Sequence, residues 1–479
     1  MFAVENKNVL IVGLGLSGVA AAELLLGRGA TVAALDSADS ETLRDQAARL
    51  RTCGAHVELG AKSLPLRRFD FAVLSPGVPL NHPLVVEMRA KNIPIIGELE
   101  LGYQQSLALN ISITGTNGKT TTTELVERVL TANDVKTVAA GNIGNPLCAV
   151  AETTRTLDFV TLEVSSFQLE TIQFFRPIVA VLMNITPDHL DRYSSMEQYA
   201  RAKARIFENQ QAFDWAIIQS EALARLSELG VRIPSKIITF SATDPTADIF
   251  LERGLVISRM ENWAGPLLNM DDVQLRGPHN AENIMATLAV GRVLRIPHEG
   301  IVRAIKSYTP APHRCELVAE IGGVKFVNDS KATNVDAVAK ALSAMPESDS
   351  REPNVWLLAG GKDKGFDYHD IGPLLSRRVK GAFLFGETAE KIRAAWSLFT
   401  PCAILPTLLE AVTEAAKRAK PGDVVLLSPA CSSFDQFRNY QHRGEVFRQA
   451  VKALEDSGTH EREARAVWRR ERRREALML

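Results

Sequence analysis

Residues 111–122 read Ile-Ser-Ile-Thr-Gly-Thr-Asn-Gly-Lys-Thr-Thr-Thr. Ile111 to Gly115 is a short β-branched run that ends on glycine, and Thr120 to Ala132 follows at once as a helical stretch. Strand, glycine turn, lysine, hydroxyl residue and helix is the order of a phosphate-binding loop, here in shortened form. Successive backbone N–H groups over Gly115, Thr116, Asn117 and Gly118, with the helix N-terminus behind them, can wrap phosphates. Lys119 would neutralise β/γ oxygens, the Thr120 hydroxyl would ligate Mg²⁺, and Thr121 continues the turn. The segment therefore reads as an ATP loop. A purely structural turn is the alternative, although a Lys-Thr pair has little packing use there.

On the N-terminal side the rhythm is the same. NVLIVG, SGVAAAELLLGRG, TVAALD and FAVLSPG alternate short apolar runs with Ala/Leu-rich stretches, the pattern of βαβ units and a parallel sheet. Gly13-Leu14-Gly15-Leu16-Ser17-Gly18 follows a strand and opens a helix, and Asp36 ends the next strand about twenty residues on, which satisfies the dinucleotide fingerprint. Taken alone this suggests NAD, but any nucleoside diphosphate meets the same requirement, and a glycine turn that serves packing alone stays open. On the C-terminal side a third α/β segment begins where Pro310 to His313 break a helix, with strands expected in KFVND, VWLLAGG, AFLFG and VVLLSPA. The expected organisation is residues 1–108, 109–308 and 309–458 as three domains, with 459–479 as a basic tail.

Composition agrees with several separate cores. A chain of 479 residues exceeds the usual single domain, which implies about three. With 46% hydrophobic and 23% charged residues and a formal net charge of −1, nothing pulls the whole chain toward nucleic acid or membrane. Cys53, Cys148, Cys315, Cys402 and Cys431 are odd in number, far apart and never in a CxxC pair, which argues against a disulfide scaffold and a structural zinc site. No window approaches the run of about 20 apolar residues that a bilayer span needs, and no signal peptide is evident, so a cytoplasmic location is expected. From Glu461 onward the tail carries seven arginines in nineteen residues, read first as a solvated terminal helix or frayed end, with a nucleic-acid or anionic-membrane contact as the alternative.

Two nucleotide loops in one chain, the second reading TGTNGKTTT, make the sequence resemble the Mur ligases. The runs Glu163 to Glu170 (EVSSFQLE), Asn184 to Tyr193 (NITPDHLDRY), YARAKARIFEN around Lys203, Gly277 to Asn283 (GPHNAEN) and His313-Arg314 look like the same family. Asn328 to Asn334 (NDSKATN) and Ser428 to Phe437 (SPACSSFDQF) are similar to the D-glutamate-adding member. The resemblance covers residues 7 to about 455. It implies an α/β fold of three domains: an N-terminal Rossmann-like domain for a UDP-linked substrate, a central P-loop-type parallel sheet for ATP, and a C-terminal Rossmann-like domain for the amino acid.

The activity it implies is ATP-dependent amide formation between UDP-N-acetylmuramoyl-L-alanine and D-glutamate through an acyl phosphate, with an L-glutamate-adding enzyme as the nearest alternative. Two Mg²⁺ ions are implied, one held by Thr120 and Glu163, the other near His189. Lys203 would carry a CO₂-derived carbamate that turns a cation into an oxygen ligand; from the residues alone, a lysine in a helical stretch is more often a solvated face. Glu163 and His189 could each be buried structural groups. Asn280, Asn283, Arg314 and Asp329 are implied at adenine, ribose and phosphate, although the two asparagines could instead cap a helix. Gly15, Leu16, Ser17, Asp36, Ser37, Ser75, Gly77, Asn142, Gln168 and His189 are implied for the UDP substrate, and no arginine follows Asp36 where some members have one. Lys331, Thr333, Lys364, Ser433, Phe434 and Tyr440 are implied for the amino acid, with Lys362 as the rival of Lys364. Cys431 reads as a small buried filler. Catalysis would rest on Lys119, Glu163, His189 and Lys203, in a monomer with no nucleic-acid or membrane partner. The rival classes, an NAD-dependent oxidoreductase and a non-catalytic P-loop module, leave Lys119-Thr120 with Glu163, or the third domain, unexplained.

Overall fold

The computed structural model describes residues 3–189, 192–309, 312–348, 352–363 and 366–455; Lys364 and the basic tail lie outside them. Three sheets carry the chain. The first comprises β1 (Asn8–Val12), β2 (Thr31–Asp36), β3 (His56–Leu59), β4 (Phe71–Leu74) and β5 (Ile95–Gly97), in the order β3-β2-β1-β4-β5 with every pairing parallel. The second comprises β6 (Leu109–Thr114), β7 (Thr137–Gly141), β8 (Phe159–Glu163), β9 (Val179–Leu182), β10 (Trp215–Gln219), β11 (Lys236–Ser241), β12 (Ile249–Glu252), β13 (Leu255–Ser258) and β14 (Gly265–Asn269). Its order is β14-β13-β12-β11-β10-β9-β6-β8-β7, parallel except for the antiparallel extension β12-β13-β14. The third comprises β15 (Glu316–Ile321), β16 (Val324–Asn328), β17 (Val355–Gly360), β18 (Val379–Phe385), β19 (Cys402–Ile404) and β20 (Val424–Leu427), ordered β15-β16-β20-β17-β18-β19, with only β15 antiparallel.

Burial explains the sequence rhythm. β4, β9 and β20 are buried at every position, as expected of parallel strands covered by helices on both faces. In β6, Ile111 and Ile113 face the core that includes Leu125 and Val129 of the following helix, while Asn110, Ser112 and Thr114 alternate to the other face. The loops that follow the strands gather at the C-terminal edges of the parallel sheets, where open α/β sheets bind ligands.

The chain divides into two compact units. One holds the first and second sheets; the other holds Thr186 through His189 and the chain from Thr309 on, with the third sheet. Strands β3, β5, β7 to β15 and β19 add to those read from the sequence.

Candidate active site

The central loop in the first unit is built by β6 and the helix Lys119–Thr131. Gly118 caps that helix at φ +86°, a conformation that costs other residues energy, and a Cβ there would run into Asn283 Oδ1. Asn184, just after β9, brackets the loop: its carbonyl accepts from Thr116 N at 3.0 Å, its Oδ1 from Asn117 N at 2.9 Å, and its Nδ2 donates to Asn117 O at 3.1 Å. Lys119 Nζ donates to the carbonyls of Gly115 and Thr116 at 3.0 and 2.9 Å, which holds its ammonium at the loop. Thr122 and Thr123 are tied down by Asn283 Oδ1 and Lys119 O, whereas Thr120 is half-buried at the first turn.

Lys203 comes to the same loop. It is 2% exposed, donates to Gly115 O at 2.7 Å, and lies 4.5 Å from the centre of the Tyr199 ring, whose hydroxyl is 3.2 Å from Thr116 Oγ1. The solvated-face alternative is therefore wrong: helix Met196–Ala204 turns this lysine inward. Glu163 ends β8 in register with Ile113, two residues before Gly115. Its Oε1 accepts from Asn142 Nδ2 at 2.7 Å, while the buried Oε2 has no hydrogen-bond partner among the described residues. A buried carboxylate oxygen left unpartnered is costly, and beside a phosphate loop it fits a bound cation such as Mg²⁺. Among the described residues no group of three or more His, Cys, Asp and Glu is placed to hold a metal ion.

Asn280 and Asn283 lie inside the helix Pro278–Val293, whose N-cap is Gly277, so neither caps it. Asn283 Nδ2 donates to Asn280 Oδ1 at 3.0 Å, and Asn280 Nδ2 to Arg276 O at 2.8 Å. Gln168 gives its carbonyl to a capping box with Ser165, which leaves its amide group for other partners.

The first-sheet loop has a different lock. Gly13 sits at φ +90°, and a Cβ there would fall 2.7 Å from Val78 Cγ2 and 2.9 Å from Ser75 Cβ, so the loops after β1 and β4 pack directly together. Asp36 accepts from Leu14 N at 2.8 Å and Ala38 N at 2.9 Å; the acid read for a ribose hydroxyl is thus also the latch that fixes this loop. Gly15, Leu16, Ser37 and Gly77 are exposed, Ser17 is half-buried and Ser75 is buried. Arg192 reaches this region from the central part of the unit, donating to Pro76 O at 2.9 Å and Glu170 Oε2 at 2.7 Å, with its guanidinium 4.0 Å from the centre of the Phe167 ring.

The second unit holds the remaining candidates. His189 has a positive φ of 56°, unusual for a non-glycine residue and a mark of local constraint; its Nε2 is 3.8 Å from Asp188 Oδ2, which accepts from Asn334 Nδ2 at 3.1 Å. Asp329 is 7% exposed and bonded to Ser428 Oγ and Cys315 N; burial pushes its carboxyl up to about 7, against the opposing pull of those bonds and of Arg314. Lys331 Nζ lies 4.0 Å from the Tyr440 ring centre. Thr333 is half-buried, Ser433 buried and Phe434 69% exposed. Lys362 is exposed, and its backbone N donates to Ser432 O at 2.9 Å. Burial pushes the Cys431 thiol up, away from the thiolate a nucleophile needs. Sequence reading gave no role to Asn184, Tyr199, Arg192 or Arg443; their partners are distant along the chain, and no local spacing announces them.

Three family models match in order: the Mur ligase MurD-like N-terminal domain over residues 7–97, the Mur ligase middle domain over 113–291, and the Mur ligase glutamate ligase domain over 313–431. The chain belongs to the Mur ligase family. This Mur ligase is similar to the UDP-N-acetylmuramoylalanine–D-glutamate ligase of Acidobacterium capsulatum, at 44% identity over 453 residues, 94% of this chain and 97% of that one. It is 41% identical to the enzyme of the same name from Koribacter versatilis over 94% of this chain and 98% of that one. The crystal structure of the MurF ligase from Thermotoga maritima in complex with ADP shares the fold, with a TM-score of 0.59 at 16% identity over 95% of this chain and 100% of that one. Among the described residues no helix is long and apolar enough to cross a membrane.

Proposed function

We propose that this Mur ligase is an ATP-dependent acid–amino-acid ligase that joins D-glutamate to UDP-N-acetylmuramoyl-L-alanine in peptidoglycan precursor synthesis. The observation that carries the reading is the 44% identity to a D-glutamate ligase across 94% of the chain. A carboxylate is a poor electrophile at neutral pH. ATP supplies the phosphoryl group that turns the alanyl carboxylate into an acyl phosphate; the amino group of glutamate then forms the C–N bond, phosphate departs with the C–O electrons, and the amine loses a proton.

The loop Gly115 to Thr121 would cradle the nucleotide phosphates through backbone N–H groups, with Lys119 countering their charge. Thr120 and the unpartnered oxygen of Glu163 would hold Mg²⁺, which supplies charge neutralisation at the phosphates. Asn142 orients Glu163 and would stand near the substrate carboxylate. Asn280, Asn283, Arg314 and Asp329 we assign to the nucleotide, the loops after β1, β2 and β4 to UDP, and Lys331, Thr333, Ser433, Phe434 and Tyr440, with Lys364, to glutamate. His189 we keep as a substrate or metal contact. We further assign a carbamate to Lys203: its amine would add CO₂ and release a proton, replacing the donor that now meets Gly115 O by an acceptor that turns toward a cation. We assign the reaction to the cytoplasm, where ATP is available, and to a monomer. Phosphate release that requires UDP-N-acetylmuramoyl-L-alanine, Mg-ATP and D-glutamate together tests the reading; release indifferent to the amino acid would overturn it.

A further inference from the structure

Arg443 is the largest wholly buried charged side chain of the second unit, 0% exposed, on a helix spanning 440–455. Its guanidinium is satisfied by neutral oxygens: Nε donates to Ser330 Oγ at 3.0 Å, Nη2 to Ser330 O at 2.8 Å, and Nη1 to the carbonyls of Cys431 at 3.1 Å and of Gly360 and Ser432 at 3.4 Å. Ser330 Oγ in turn donates to Tyr440 O at 2.8 Å. These contacts tie together three loops at the C-terminal ends of β16, β17 and β20, one residue before Lys331, Gly361 and Ser433. Arg443 makes no ion pair among the described residues; Asp329 and Asp435 act on it only through space. Burial lowers its pKa to about 10, which leaves it cationic at neutral pH. A buried cation without a carboxylate partner is expensive to keep, and a neutral side chain of similar size would be the cheaper fastener. No carboxylate is bonded to it, Asp329 and Asp435 offset its field only through space, and the ligand proposed for these loops is a dicarboxylate.

We propose that Arg443 is a positioning and specificity residue for the acidic amino acid, holding the loops of Lys331, Gly361 and Ser433 in register and biasing them toward an anion. This rests on the D-glutamate reading above. Buried charge acts over a longer range than exposed charge because solvent screens it less, so the guanidinium favours an acidic over an isosteric neutral side chain without touching it.

The test compares wild type with Arg443→Gln and Arg443→Lys, using phosphate release with D-glutamate or D-glutamine, each substrate varied in turn with the other two saturating. Arg443→Gln should raise the D-glutamate KM at least tenfold and cut the preference for D-glutamate over D-glutamine at least tenfold, while the ATP KM stays within about twofold. Arg443→Lys, which keeps the charge and loses the fork, should recover part of the preference. An unchanged preference in a folded Arg443→Gln, or equal rises in all three KM values, would overturn the proposal. Should both variants fail to fold, Ser330→Ala removes one acceptor; it should raise the D-glutamate KM several-fold with the ATP KM unmoved, and no rise would overturn the proposal equally. Wild type without D-glutamate-dependent release would sink the ligase reading and this role with it, whereas an active wild type beside variants of unaltered preference sinks the role of Arg443 alone.

Discussion

Glu163→Gln separates a structural acid from a metal-holding one. In the protein, Oε1 is engaged by Asn142 Nδ2 at 2.7 Å, and Oε2 is buried without a partner. In the variant the amide oxygen keeps the Asn142 bond, so the amide nitrogen takes the place of Oε2. An unpaired buried polar group costs about 1–3 kcal/mol, more when charged, so exchanging the charged atom for a neutral one should leave the free protein as stable as wild type or about 1 kcal/mol more stable. With Mg-ATP the order should reverse. Ligand at 100 times its Kd adds about 2.7 kcal/mol to the form that binds it. Loss of a metal-supporting oxygen weakens such sites about 10–100-fold, which removes roughly 1.3–2.3 kcal/mol of that gain, and turnover should fall by a similar or larger factor. The assay is the midpoint of thermal unfolding with and without Mg-ATP, beside phosphate release. A variant that is less stable when free, equally stabilised by Mg-ATP and fully active would refute the reasoning.

Lys119→Ala should abolish Mg-ATP-dependent turnover while binding of the UDP substrate, measured by titration calorimetry, stays nearly intact; retained turnover removes the ATP-loop assignment. Lys203→Ala should lose about 10²-fold in rate, and acetate or formate should restore part of it by offering the missing oxygens; intact mass of the active, Mg²⁺-loaded wild type should carry the added CO₂, and a bare amine there would refute the carbamate. Glu98, wholly buried beside Cys148 N, has its carboxyl raised by burial from 4.5 to about 7. Between those values the folded state holds a proton that the unfolded state has released, so stability should fall as pH rises from about 4.5 to about 7 and then level off. Glu98→Gln should flatten that decline in denaturant titrations across the range, and an unchanged slope would count against it.

The parallel strands read from the sequence, β1, β2, β4, β6, β16, β17, β18 and β20, were legible because covered strands need apolar runs, whereas β3, β5 and β7 to β11 were not read. Runs such as Val355–Gly360 and Val424–Leu427 need continuous apolar side chains, and glycine or proline marks their ends. The hairpin strands β12 to β14 alternate buried and exposed positions only weakly at a sheet edge, which leaves little pattern to read. At the site, Gly118 was readable because a helix cap at positive φ requires it. Lys203 was not readable from its helix, since the contact that defines it, Gly115 O, lies 88 residues away. Arg443 likewise meets Ser330 across 113 residues. Asp36 was found by position, but its bonds to Leu14 N and Ala38 N depend on how two loops fold back, which spacing does not encode.

A ligase of this kind links D-glutamate to a UDP-muramoyl-alanine carboxylate at the expense of ATP. The most direct measurement is phosphate release by the full-length protein with Mg-ATP and UDP-N-acetylmuramoyl-L-alanine against a panel of D- and L-amino acids. Release is expected with D-glutamate alone, matched by a product heavier by one glutamyl residue. Release that favours L-glutamate or a neutral amino acid, or that proceeds without the UDP substrate, would contradict the D-glutamate reading.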